Sequence, residues 1–240
     1  AEANANALKM FDAAIEADPD NAQAYAWKAC TLGQAMVRGY VDKPMQEIMP
    51  EFSNLMSSAL SIDPNDFECH RLQCAVNTMM GDMKAALEHG KKAYDVNPND
   101  PRILQQYGEV LLKTGKTEEG CDLTLLALEY DPIAQGQTNS DKRKSDGVFG
   151  CILDDRPDVG LDIASGMIDR SEKVLIYAAA LAVGSTGSLE NFSWLIDDLR
   201  NADFAQIEEA IEEMGKFDVV VQSKLKEVFL DYILPLKEVA

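Results

Sequence analysis

Few side chains in this sequence have types and spacing suited to chemistry. Lys113-Thr114-Gly115-Lys116-Thr117 contains the Gly-Lys-Thr core of a phosphate-binding loop. The glycine such a loop needs upstream falls at Val110, and no strand precedes the segment, so the reading fails. Cys69-His70 and Cys74 place a thiol and an imidazole one helical turn apart, a spacing with which a metal site can begin. No second ligand pair follows, and the other histidine, His89, is far along the chain. Glu208 with Glu212 and Glu209 with Glu213 share a helix face, as do residues four apart in general. General acid–base chemistry needs a positioned carboxyl in a pocket, and nothing marks one beside these or beside Asp197-Asp198. Serine nucleophile elbows, metalloprotease helices and dinucleotide fingerprints are absent. The expectation is no catalytic residue, no metal and no cofactor. An enzyme reading survives only if Lys142, Asp154, Asp155 and Arg156 converge on a pocket within the irregular stretch 135–160.

The bulk numbers bound the partners. The chain has 240 residues, 46% hydrophobic and 26% charged, as expected of a folded protein. Its net charge of −19 repels nucleic acid, whose binding needs phosphates neutralised by lysine and arginine. No apolar run approaches the ~20 residues of a membrane span, and the first residues, Ala1-Glu2-Ala3-Asn4, do not resemble a secretory signal. Five cysteines, scattered through apolar helical contexts without Cys-x-x-Cys pairs, read as buried reduced thiols. Together these place the protein in the cytoplasm.

The elements that position these residues announce themselves by repetition. Asp18-Pro19-Asp20, Asp63-Pro64-Asn65-Asp66, Asn97-Pro98-Asn99-Asp100 and Asp131-Pro132 are related tags. Pro64 to Pro98 is 34 residues, Pro98 to Pro132 is 34 again, and Pro19 to Pro64 is 45, an insertion of 11. Ala14, Ala59, Ala93 and Ala127 lie five residues before each proline, and Ala7, Phe52, Ala86 and Gly120 lie twelve before. Small residues at most of these positions let helices cross closely. The prolines mark where one helix ends and the next hairpin begins.

This pattern resembles the tetratricopeptide repeat, a 34-residue pair of antiparallel helices, over residues 1–133. Gly108 matches the leucine-glycine position of the family's first helix and Phe11 its aromatic position. Cys74 and Gly90 depart from those two positions. The resemblance implies an all-α fold, a right-handed superhelix of antiparallel helical hairpins. The expected helices are 6–17, 21–37, 51–62, 66–80, 83–96, 101–114 and 117–130, with the insertion forming a loop around 38–50. Residues 134–240 are expected to continue as divergent hairpins. Their helices are read as 147–153 with 158–169, 172–183 with 189–200, and 204–214 with 218–234, after a polar loop over 135–146. Val221, Leu225, Val228, Phe229, Tyr232 and Ile233 give the last helix one wide apolar face, suited either to capping the array or to self-association.

In the tetratricopeptide family the first helix of each hairpin lines a concave binding surface. Carried onto this chain, that surface comprises Gln23, Ala26, Cys30 and Gly33, then Glu68, Arg71, Ala75 and Thr78, then Arg102, Gln105, Glu109 and Leu112, of which Gln23, Arg71, Thr78, Arg102, Gln105 and Glu109 are the expected partner-binding residues. Arg71 and Arg102 could hold a carboxylate, although Ala75 stands where the family's carboxylate-binding members place an asparagine. Two stretches, from Ala7 to Trp27 and from His89 to Pro101, are also similar to the tetratricopeptide regions of bacterial class III adenylate cyclases and winged-helix transcriptional regulators. The first helix lacks its hairpin partner and no methionine precedes it, which gives the expectation of a piece of a longer regulator. The function implied is a non-enzymatic protein–protein interaction module with a protein or peptide partner. A free-standing adaptor is the alternative.

Overall fold

The computed structural model describes residues 1–41, 44–132 and 141–238. Among them every regular element is a helix, and the helices pair as antiparallel hairpins. None is long and apolar enough to cross a membrane. The chain divides into two compact units, Ala1–Asn99 and Asp100–Ala240. Compactness therefore changes hands inside the periodic region, whereas the 34-residue spacing runs on to Pro132.

The first unit holds α1 (Glu2–Ala17), α2 (Ala22–Val37), α3 (Met45–Ile62), α4 (Phe67–Met80) and α5 (Met83–Val96). The proline tags are its punctuation. Asp63 ends α3 with extended backbone, its carboxylate accepts the Asn65 N–H at 2.9 Å, and Asp66 then caps α4 by accepting the Cys69 N–H at 2.7 Å. Asn21 does the same for α2 through the Ala24 N–H at 3.1 Å. One four-residue tag thus closes a helix, blocks its continuation with proline and opens the next.

The 11-residue insertion is not simply a loop. Compared with α4 and α5, α2 is two residues longer, the connection 38–44 is five longer, and α3 is four longer. Pro44 provides the entry to α3, and Pro50 falls inside the helix on its exposed side. The repeat spacing predicts this helix from 51, with the insertion a loop around 38–50, whereas the helix begins at Met45. As the sixth residue of the helix, Pro50 forfeits the one N–H that would otherwise reach the Gln46 carbonyl, and the helix continues through it.

Ala26, Ala29 and Leu32 of α2 pack with Phe52, Met56 and Ala59 of α3 and with Cys69 and Leu72 of α4 to form the core of this unit. Ala86 and Ala93 are fully buried on α5, where small side chains permit its close approach to α4. α1 packs on α2 through Leu8 and Ile15 but buries no residue completely.

The second unit holds α6 (Pro101–Lys113), α7 (Thr117–Tyr130), α8 (Lys142–Leu153), α9 (Pro157–Ser165), α10 (Glu172–Thr186), α11 (Ser193–Asn201), α12 (Phe204–Met214) and α13 (Val219–Val228). A π-helical turn, Phe229–Ile233, and the short α14, Pro235–Glu238, complete it. α8 starts five residues before the expected Gly147, because Arg143 is buried there and donates to the Ala127 carbonyl at 3.0 Å. Its polar first turn is a helix anchored on α7 rather than part of a loop. α9 and α11 are shorter than expected, and the turn before α11 occupies residues 187–192.

α10 is the centre of this unit. Every residue from Val174 to Ala182 is buried, and α8, α9, α11, α12 and α13 all pack on it. A helix apolar all round has to be enclosed in this way. Leu225, Val228, Phe229 and Ile233 are buried, and Val221 and Tyr232 pack beside them, so the wide apolar face of the last helix closes this core. The π-helical turn sits directly before Pro235, whose ring would clash with the carbonyl four residues back. The Leu234 N–H instead reaches the Phe229 carbonyl at 2.9 Å, and the widened turn relieves the clash.

Candidate partner-binding face

The first helices of successive hairpins lie side by side in each unit, α2 with α4 in the first and α6, α8 and α10 in the second. The six residues named from the sequence lie on these helices, and the structure engages each of them within the protein.

In the first unit Gln23 donates to Asp66, the cap of α4, tying α2 to the repeat turn. Arg71 grips Glu68 with two hydrogen bonds, Nη2 to Oε1 at 2.5 Å and Nε to Oε2 at 3.2 Å, and its Nη2 also approaches the Cys30 sulfur of α2 at 3.7 Å. Glu68 is fully buried. Burial alone would lower the Arg71 guanidinium, but Glu68 outweighs it and holds the group above its ordinary pKa. Thr78 donates to the Cys74 carbonyl at 2.8 Å, one turn back on its own helix.

In the second unit Arg102 folds back on Asp100, the cap of α6, at 2.5 Å. Gln105 donates to Asp146 of α8, which also pairs with Lys142 at 2.5 Å. Burial pushes the Asp146 carboxyl above its ordinary value, and Lys142 only partly opposes it. Glu109 pairs with Lys113 at 2.5 Å. The ladder continues beyond the predicted residues: Lys113 lies 5.4 Å from the centre of the Phe217 ring, Lys173 of α10 lies 5.8 Å from that of Phe149, and Lys173 pairs with Glu213 at 2.8 Å. Phe149 packs with Phe217 and with the buried Tyr177 beneath these lysines.

Asp146 occupies a register position that the sequence marks. Counted from Lys142, it holds the fifth position of α8, as Gln105 does in α6 and Arg71 in α4. The lost period after Pro132 hid that register. Phe217 lies in the turn after α12, and no spacing signal marks it.

The other chemical candidates have structural places. Lys142 and Asp154–Arg156 stand at opposite ends of α8, a separation of about 18 Å at 1.5 Å per residue. Arg156 pairs instead with Asp122 at 2.7 Å and Asp154 at 2.6 Å, and Asp155 is 85% exposed, so these residues do not converge. Positions 135–140 of that stretch lie outside the described residues. Gly115 turns α6 into α7 with φ +82°. All five cysteines are buried and none is in a disulfide. Among the described residues no three His, Cys, Asp or Glu side chains are grouped to hold a metal.

No protein-family model matches the chain, and no curated protein matches it in sequence. Solved structures match its fold. YrrB, described as a tetratricopeptide protein with an unusual peptide-binding site, has a TM-score of 0.58 at 15% identity, covering 90% of this chain and 97% of its own. PilF of Pseudomonas aeruginosa has a TM-score of 0.56 at 17% identity, covering 91% and 87%. A tetratricopeptide repeat protein of Parabacteroides merdae has a TM-score of 0.50 at 14% identity, covering 94% and 92%. Likeness at these identities defines the class of fold: helical hairpins of the tetratricopeptide type.

Proposed function

We propose that this chain is a non-catalytic protein-interaction module that binds an extended peptide segment along the first-helix face of its second unit. The observation carrying the proposal is the ladder Gln105–Asp146–Lys142, Glu109–Lys113 and Lys173–Glu213. Its polar groups lie on α6, α8 and α10, with Glu213 contributed by α12, over an aromatic floor. Paired side chains that are partly exposed can exchange their partners for those of a ligand at little cost, because such pairs contribute only about 0–1 kcal/mol. Arg102 extends this face on α6. In the first unit Gln23, Arg71 and Thr78 hold the corresponding positions, and Arg71 serves mainly as the counter-charge of Glu68. YrrB, with its peptide-binding site, supports the reading by analogy of fold.

The resemblance to cyclase-linked and winged-helix-linked repeats supports a role within a larger bacterial signalling or transcriptional regulator, and five buried cysteines outside any disulfide fit the cytoplasm. A second reading is self-association. Val219, Val220 and Leu230 are each more than half exposed on the outer side of the C-terminal helices, opposite the face that closes the core.

Binding of the full chain to an immobilised peptide library tests the proposal. Peptides captured by the wild type should be lost from a Lys113→Ala/Lys173→Ala variant and retained by Lys91→Ala, a substitution on the exposed side of α5. Capture that ignores the first pair of substitutions would sink it.

A further inference from the structure

The chain's only two histidines, 19 residues apart in sequence, meet at the crossing of α4 and α5. Their Nδ1 atoms are 3.0 Å apart and their rings 5.2 Å apart, tilted by 37°. His70 is 4% exposed, and its Nε2 lies 3.0 Å from the Pro64 carbonyl oxygen in the turn before α4.

The protons can be placed from these contacts. A carbonyl can only accept, so the His70 Nε2 carries a proton and donates it to Pro64. The Nδ1 of a neutral His70 is then a lone pair, and the Nδ1–H of His89 must be the donor of the shared bond. That leaves the Nε2 of His89, a residue only partly buried, as the lone pair. A first added proton binds there without disturbing the bond between the rings. A second can bind only at the His70 Nδ1, where it meets the His89 Nδ1–H head on, with two positive rings in contact.

We propose that His70 and His89 form a proton-operated latch on the α4–α5 hairpin, which holds with one shared proton charge and parts α5 from α4 when both rings are charged. The surroundings set the direction. Burial holds both imidazoles below their ordinary pKa, Lys92 of α5 lowers both further, and His70 lowers His89. The Pro64 carbonyl, Asp66 and Asp63 of the α3–α4 turn favour a charged His70, and Glu88 of α5 favours a charged His89, without reversing the shift. α2 meets α4 at Asp66 through Gln23 and at Arg71 through Cys30, so its reach toward the pair is through the Asp66 carboxylate. Each ring binds protons less readily folded than unfolded. The hairpin's stability is therefore complete above the ordinary histidine value of 6.5 and is lost as the pH falls below it. The two protonations are steps of the pair rather than of either residue.

The experiment is a pH titration of the full chain by NMR, read at the two histidine ε1 resonances, with amide exchange of α4 and α5 followed in the same samples. Both resonances should move in the same two steps. The lower step should coincide with faster α4–α5 exchange, corrected for intrinsic rate, by about tenfold in the opening equilibrium for each pH unit that the step is displaced. In His89→Gln the side-chain amide can turn to donate to, or accept from, the His70 Nδ1. His70 should then titrate in one step and the exchange should lose most of its pH dependence. Two independent single steps near the ordinary value, with unchanged exchange, overturn the latch. So does a His89→Gln chain whose exchange keeps the wild-type pH dependence. If His89→Gln does not fold, the wild-type titration alone decides.

Discussion

Gly108 and Gly120 each face the other's carbonyl oxygen where α6 crosses α7. A Cβ at Gly120 would stand 2.8 Å from the Gly108 oxygen and 2.8 Å from the Leu112 nitrogen, and one at Gly108 would stand 3.0 Å from the Gly120 oxygen. Neither neighbour is a side chain that can turn aside, so Gly120→Ala must spread the two helices. Overpacking of this kind costs about 3 kcal/mol, and alanine's better helix propensity returns about 1 kcal/mol. We expect a net loss of about 2 kcal/mol in urea unfolding. The same substitution at Gly147 of α8 meets only side-chain ends at ordinary contact, Ile163 Cδ1 at 3.4 Å, Leu125 Cδ2 at 3.6 Å and Leu128 Cδ2 at 3.8 Å, and should stabilise by about 0.5–1 kcal/mol. Equal effects at the two positions would show that the crossing is not held by backbone contact.

Much of this crossing was legible in the sequence, because the 34-residue spacing carried both the small residues and the proline tags. The helices over 1–132 follow from that spacing, apart from the early starts of α1 at Glu2 and of α3 at Met45. What the spacing could not show is which partners the side chains choose. Arg71 reads as a binding cation from its position, yet it is turned onto the buried Glu68 three residues earlier in its own helix. Beyond Pro132 the period is gone and burial takes over as the organising signal. α10 stands out there only as a long apolar stretch, and that stretch fixes neither which helices enclose it nor the meeting of Phe149 with Phe217. His70 and His89 illustrate the same limit: separated in sequence, they are joined by a hairpin whose existence was legible but whose contact was not.

Asp155 sits in the α8–α9 turn with φ +51°, where the corresponding turns after α4 and α6 place Gly81 and Gly115. Left-handed backbone costs most L-residues about 1–2 kcal/mol, and aspartate somewhat less. Its contact with Lys224, at 3.7 Å with the carboxylate 85% exposed, offsets little of that. Asp155→Gly should therefore raise stability by about 0.5 kcal/mol, and Asp155→Ala should lower it. Chemical denaturation of the two variants side by side checks the sign. A more stable alanine variant would refute the strain.

The Arg71–Glu68 pair predicts a large single effect and a small double one. Glu68 is wholly buried, so Arg71→Met takes away the counter-charge of a buried carboxylate and should cost about 3 kcal/mol. Replacing both charges, Glu68→Gln with Arg71→Met, should recover most of that loss. A double-mutant cycle measures it, and simple additivity would mean that the pair is not coupled.

Asp141 predicts how the second unit answers to acid. It is 1% exposed, and one carboxylate oxygen accepts the N–H groups of Ile168 and Asp169, at 2.8 and 2.9 Å, while the other meets Lys144 at 3.2 Å. Burial alone would raise its pKa, but those two N–H groups and Lys144 outweigh it and hold the carboxyl below its ordinary value of 3.8. The folded state thus binds this proton less readily than the unfolded one, so the contribution is complete above that value and is lost as the pH falls below it. In Asp141→Asn the amide oxygen can still receive both N–H groups, but the amide nitrogen is set against the Lys144 ammonium. The variant should be less stable than the wild type by about 1–2 kcal/mol at pH 7. The gap should narrow as the medium is acidified, because the protonated wild type loses the same charge. Urea midpoints of both proteins at pH 7 and pH 3 give the comparison, and a gap of equal size at the two pH values would exclude the carboxylate as its source.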